Sequence, residues 1–129
     1  MTESAPGHFP QQVGIDAYGN GGFRFAEMSH RGSLLCLPGG MLGWSVTTAA
    51  EITLQSLAPV LDSAGDIDVL MIGLGHDIAG LAPEIRAALR AQGIIVEAIT
   101  TGSAVRTYNV LLAEHRAVAA ALIAVDKVR

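Results

Sequence analysis

Apolar residues in this chain fall into short blocks, each closed by glycine, proline or small polar residues. The clearest block is Asp68-Val69-Leu70-Met71-Ile72-Gly73-Leu74-Gly75-His76-Asp77. An apolar run that breaks into Gly-x-Gly reads as a buried strand entering a loop. Residues 83–92 follow with helical spacing, and Ile85, Ala88 and Leu89 make one apolar stripe. Pro83 suits a first helical turn, while Glu84 and Arg90 complement the two ends of the helix dipole. Gly93 fits the position just past the helix end, and residues 94–99 form a second apolar run rich in β-branched side chains. Strand, helix and strand within about 30 residues make a βαβ unit, so the pattern predicts an α/β fold.

The flanks follow the same punctuation. Ile15 and Ala17 alternate into Tyr18-Gly19-Asn20-Gly21-Gly22, and Phe23 and Phe25 alternate out of it, which predicts a hairpin. Residues 33–37 predict a strand closed by Pro38-Gly39-Gly40, with residues 41–46 as its partner and Trp44 at the partner's centre. Thr53 can N-cap a helix over residues 54–63, where Leu54, Leu57, Val60 and Leu61 share a face. Pro59 within it predicts a later start or a kink. After Thr100-Thr101-Gly102-Ser103, residues 104–114 are helical in pattern. Residues 118–125 fit a continued helix and a strand equally well, because alanines dominate the stretch before and within them. Residues 1–12 carry two prolines and few apolar positions and are expected to form a flexible tail, leaving 13–129 as a single α/β domain.

Composition narrows the function classes. Half of the 129 residues are hydrophobic and 16% are charged, enough to build a packed core and too apolar for disorder. The net charge is −4 and the basic residues are scattered, which argues against nucleic-acid binding. One cysteine, Cys36, builds neither an internal disulfide nor a structural zinc site. No apolar run approaches the roughly 20 residues that span a bilayer, and no secretory signal is visible, so a cytoplasmic location is expected.

Candidate chemistry lies where strands end. In a parallel sheet, ligands bind beyond the carboxyl ends of the strands. Here those ends are the loops 73–80 and 100–103, and the ligand-binding candidates are Gly73, Gly75, His76, Thr101, Ser103 and Asn109. Glycine N–H groups and a helix N-terminus would hold an anion, with His76 as the one general acid or base. Dinucleotide binding is not supported. The third glycine of that motif is replaced by Ile78, and Pro83 starts the helix too late for the pyrophosphate to meet it. His30, His76 and His115 lack metal-ligand spacing, so neither a metal nor another cofactor is implied. No catalytic set is convincing: in Glu114-His115-Arg116 the acid, base and cation are consecutive and point apart. Glu114 and Arg116 therefore read as structural polar residues, and Asn109 and Glu114 as partners of nearby loop backbone.

One longer pattern remains. Gly32-Ser33 precedes a strand, Trp44 sits in the next, and the 68–75 segment follows. Then comes Thr101-x-x-Ala104-x-x-Thr107-Tyr108-Asn109-Val110-Leu111-x-x-Glu114-x-Arg116-x-Val118-Ala119-Ala120-Ala121-Leu122. Together these resemble a family of small domains that includes the mitochondrial respiratory complex I (NADH:ubiquinone oxidoreductase) assembly factor 3 and many bacterial and archaeal relatives. The resemblance spans about residues 13–125, and Thr-Tyr-Asn…Glu-x-Arg is its specific part. Relatives usually carry a small hydroxyl residue between the two glycines; Leu74 stands there in this chain, which makes a polar active site at that loop less expected.

The resemblance implies a three-layer α/β domain: a mainly parallel central sheet, helices packed on it and an additional N-terminal β-hairpin layer. It makes the segment after Arg116 a strand. It also implies a non-catalytic protein-interaction or assembly factor with protein partners. The alternative is a small-molecule or anion-binding domain, enzymatic or not, using the loops 73–80 and 100–103. Edge strands and the aromatic residues Tyr18 and Trp44, if exposed, leave a homo-oligomer open.

Overall fold

The computed structural model describes residues 9–76 and 80–126. Two sheets and three helices are built from them. The small sheet comprises β1 (Ala17–Gly19), β2 (Gly22–Phe25) and β3 (Met28–Arg31), antiparallel in that order. Asn20 and Gly21, at φ 54° and 79°, make its first turn, as the Asn-Gly pair predicts. The expected hairpin gains a third strand through a second turn, where Ala26 and Glu27 take φ 50° and 63°. Neither residue favours that left-handed region, so the sequence carries no signal for this turn.

The large sheet contains β4 (Ser33–Leu37), β5 (Gly40–Trp44), β6 (Val69–Gly73), β7 (Ile95–Ile99) and β8 (Val118–Leu122), in the spatial order β5-β4-β8-β6-β7. Strands β8, β6 and β7 are parallel, whereas β4 runs antiparallel to both β8 and β5. The sheet is therefore mixed, not mainly parallel. The reason is local: β4 and β5 are joined by two residues, a connection only an antiparallel pair can make.

Helix α1 (Ala58–Asp62) is shorter than the 54–63 pattern, with Pro59 in its first turn. Thr53 does not cap it. The Thr53 Oγ1 accepts from Ser56 N–H at 3.0 Å and the Ser56 Oγ accepts from Thr53 N–H at 2.9 Å, which closes a separate turn. Helix α2 (Pro83–Ala91) ends as expected: Gly93, at φ 84°, and Ile94 donate back to Arg90 and Leu89. Helix α3 (Thr101–Ala113) stops in the same way at His115, at φ 63°, with His115 and Arg116 donating to Leu112 and Leu111. Residues 118–122 are thus a strand, inserted between β4 and β6 and buried on both faces.

Alternation along the strands divides the core. Leu35, Leu37, Leu70, Ile72, Ala119 and Ala121 pack with Leu57, Val60, Ile85 and Leu89 on the α1–α2 side. Leu34, Cys36, Met71, Val118, Ala120 and Leu122 pack with Ala104, Val105 and Tyr108 of α3 and with Phe23 and Phe25 of the small sheet. Trp44 is buried rather than an exposed aromatic, and its Nε1–H donates to the Ser56 carbonyl at 2.8 Å. Of the expected tail, residues 1–8 lie outside the described residues. Phe9 exchanges two backbone hydrogen bonds with Met41, and the Gln12 Nε2 donates to the Val118 carbonyl at 2.7 Å. No helix among the described residues is long and apolar enough to cross a membrane.

Candidate functional site

Helices α2 and α3 pack on opposite faces of the sheet, so the carboxyl ends of β6 and β7 form the crevice where an α/β sheet ordinarily takes a ligand. Here the chain occupies that crevice itself. Leu74 N–H donates to the Ile99 carbonyl at 2.8 Å, and Thr101 N–H to the Gly75 carbonyl at 2.9 Å. Thr101 is fully buried; its Oγ1 accepts from Gly75 N–H at 2.9 Å and donates to the Ile123 carbonyl at 2.7 Å. Ile123 N–H in turn donates to the Gly73 carbonyl at 2.9 Å. One hydroxyl therefore ties the ends of β6, β8 and α3 together. A Cβ on Gly73 would stand 2.8 Å from Thr101 Cα, so glycine there is a requirement of close packing. Gly75 needs its left-handed φ of 90° instead.

The helix N-terminus is spent in a similar way. Thr100 caps α3, its Oγ1 accepting from Ser103 N–H at 3.4 Å, and Ala104 N–H donates to the Thr100 carbonyl. The Tyr18 hydroxyl packs directly over Gly102. Few donors remain for an anion.

In front of this closed crevice is a recess of about 220 Å³, lined by Tyr18, Gly75, His76, Thr100, Ser103 and Arg106 among others. It brings Gly75, His76 and Ser103 together as the loop reading expects. Arg106, one turn along α3, donates to Ser103 Oγ at 3.3 Å. Gly73 and Thr101 are buried behind the recess. Thr100 belongs to the expected 100–103 loop, whereas Tyr18 and Arg106 lie outside both loops; the three-residue spacing of Ser103 and Arg106 on one helix face is the sequence signal for the last. Asp77, Ile78 and Ala79, within the 73–80 loop, lie outside the described residues. Among the described residues, no group of His, Cys, Asp and Glu is placed to hold a metal ion.

Asn109 is elsewhere. Its Oδ1 accepts from Ile15 N–H and its Nδ2 donates to the Ile15 carbonyl, both at 2.8 Å, so the side chain pairs with one backbone residue as a strand would. The neighbouring Tyr108 hydroxyl donates to the Val13 carbonyl at 2.7 Å. The Thr107-Tyr108-Asn109 motif thus clasps residues 13–15 onto α3. Beneath it, burial pushes the Cys36 thiol well above its usual range, and burial together with Cys36 does the same to the Tyr108 hydroxyl. Such a thiol is inert. Glu114 and Arg116 are exposed at the end of α3.

A family model described as a protein of unknown function (DUF498/DUF598) matches residues 15–123. The chain is 34% identical to the mouse NADH dehydrogenase [ubiquinone] 1 alpha subcomplex assembly factor 3, over 89% of this chain and 62% of that protein's length. A crystal structure described as an outer membrane protein from Bartonella henselae matches with 50% identity and a TM-score of 0.88, over 92% of this chain and all of that one. A Bordetella pertussis solution structure, described as an Mth938-like domain, matches with 28% identity and a TM-score of 0.77, over 99% of this chain and 95% of that one. The chain belongs to the DUF498/DUF598 family, to which these likenesses join complex I assembly factor 3 and the Mth938-like fold.

Proposed function

We propose that residues 13–129 form one cytoplasmic, non-catalytic domain that works through protein contacts in the assembly or maturation of a membrane complex. The observation that carries this reading is the 34% identity to assembly factor 3 across 89% of the chain. The internal use of the strand-end donors supports it: Gly75 N–H, Thr101 N–H and the Thr101 hydroxyl serve the fold. The chain spans 62% of the mouse protein's length, so the partners of that longer protein do not transfer automatically. A second reading, a small-anion site, rests on the recess that holds His76, Ser103 and Arg106.

Crosslinking in intact cells followed by mass spectrometry tests the first reading. The expected result is a small set of proteins, absent from a tag-only control and belonging to one membrane complex. A thermal-shift screen against anionic metabolites tests the second, since a ligand at 100 times its dissociation constant stabilises by about 2.7 kcal/mol. No specific crosslink, combined with a ligand response lost in His76→Ala and Ser103→Ala, would replace the first reading by the second.

A further inference from the structure

The small sheet has one face in the core and one face free. Tyr18, Phe23, Phe25 and His30 point inward. The other face carries Ala17, Gly19, Gly22, Arg24, Ser29 and Arg31 by alternation and register. Four of these six are too small to fill space, and they form the floor of a recess of about 470 Å³. Gly22 cannot be enlarged, because a Cβ there would collide with the His30 carbonyl. Glycine at 22 is therefore a requirement of the close approach of β2 and β3. Two guanidinium side chains, Arg24 and Arg31, stand on the recess, both exposed. Arg24 is oriented by a hydroxyl, its Nη1 donating to Ser29 Oγ at 2.7 Å. At the rim, the Arg31 Nη1 and the Asp126 Oδ1 each lie 3.8 Å from the point a Cβ on Gly21 would occupy.

We propose that this face docks an acidic segment of a protein partner, in extended conformation with carboxylates at alternate positions. The proposal deepens the protein-contact reading and rests on it. Charge decides the chemistry: two of the chain's eight basic residues share a face with no bulky side chain between them. Spacing decides the form of the ligand. Arg24 lies opposite Ser29, so Arg31 is its diagonal cross-strand neighbour, at a separation of about 7–8 Å, somewhat less between Cβ atoms. Alternate residues of an extended segment are about 6.8 Å apart on one side. One carboxylate can thus meet each guanidinium while the intervening side chain points away. Asp126 is a carboxylate at the rim on the Arg31 side, and its charge opposes that of an incoming acidic segment.

The test is an NMR titration of the intact chain with a peptide alternating glutamate and serine, alongside its glutamine counterpart and inorganic phosphate. Expected are amide shifts centred on Ala17, Gly22, Arg24 and Ser29 with the glutamate peptide and none with the glutamine peptide. Binding should weaken about tenfold or more in the Arg24→Gln/Arg31→Gln variant, remain unchanged in Arg90→Gln, and tighten in Asp126→Asn. Shifts centred elsewhere, or equal binding by the double variant, overturn the proposal. So does phosphate binding at this face as tightly as the peptide, which would mark a free-anion site instead. If the double variant keeps the partners found by crosslinking, this surface is wrong while the protein-contact reading stands.

Discussion

Replacing Thr101 by valine removes a single oxygen from the place where three elements meet. The exchange keeps size and β-branching, so neither packing nor the helix start changes much. Gly75 N–H and the Ile123 carbonyl both lose their partner, in surroundings where Thr101 itself has no exposure to solvent. A buried polar group left unpaired costs about 1–3 kcal/mol, so the two together cost about 2–6 kcal/mol. Against a typical total of about 5–15 kcal/mol, that is a large fraction of the stability. Thr101→Ser keeps both hydrogen bonds and loses one methyl group, for about 1 kcal/mol. Urea unfolding at neutral pH measures both variants, and the midpoint should move with little change in slope. The expected order is wild type, then serine, then valine well below. A valine variant as stable as the serine variant would refute the claim that this hydroxyl holds the strand ends.

Three further outcomes follow from the same geometry. Gly73→Ala should cost about 1–3 kcal/mol through overpacking against Thr101, and Gly75→Ala about 1–2 kcal/mol through its φ alone, since nothing crowds a Cβ there; equal unfolding midpoints for Gly73→Ala and wild type would contradict the first. Glu27→Gly and His115→Gly should each stabilise by up to about 1 kcal/mol, because both residues hold left-handed φ values that glycine adopts freely; thermal unfolding reads the gain, and a loss would count against it. Stability should fall at alkaline pH. The buried Cys36 and Tyr108 keep their protons in the fold, whereas the unfolded chain releases them above the ordinary values of 9.0 and 10.0. The Cys36 contribution is intact below pH 9.0 and the Tyr108 contribution below pH 10.0; above its own value each is lost at about 1.4 kcal/mol per pH unit. Urea unfolding from pH 8 to 11 should show that slope, and Cys36→Ala should flatten it between 9.0 and 10.0.

The parts legible in the sequence are those whose cause is local. The βαβ unit shows in apolar runs, Pro83 and Gly93; the first turn of the small sheet shows in Asn20-Gly21. Where the cause is distant, the letters are silent or point elsewhere. The strand β8 is written Val-Ala-Ala-Ala-Leu, which favours a helix by propensity. It is a strand because α3 ends at His115, a residue that gives no stop signal, and because the slot between β4 and β6 is buried on both sides. The third strand of the small sheet follows a turn made by Ala26 and Glu27, against their own preference.

The candidate site shows a different kind of ambiguity. Glycines, a threonine and an asparagine near strand ends are the residues an anion site uses, and they are equally the residues that let backbone segments approach and pair. Sequence spacing does not separate the two uses, because both need the same small, polar groups. Only the count of donors does. With Gly75 N–H bonded to the Thr101 hydroxyl, and Thr101 and Asn109 bonded to the chain's own backbone, the Gly-x-Gly loop and the Thr-Tyr-Asn motif act as fasteners. Arg24 and Arg31 on the small sheet and Arg106 beside His76 are not consumed in this way: all three are exposed, and Arg24 and Arg106 donate to serine hydroxyls rather than to backbone.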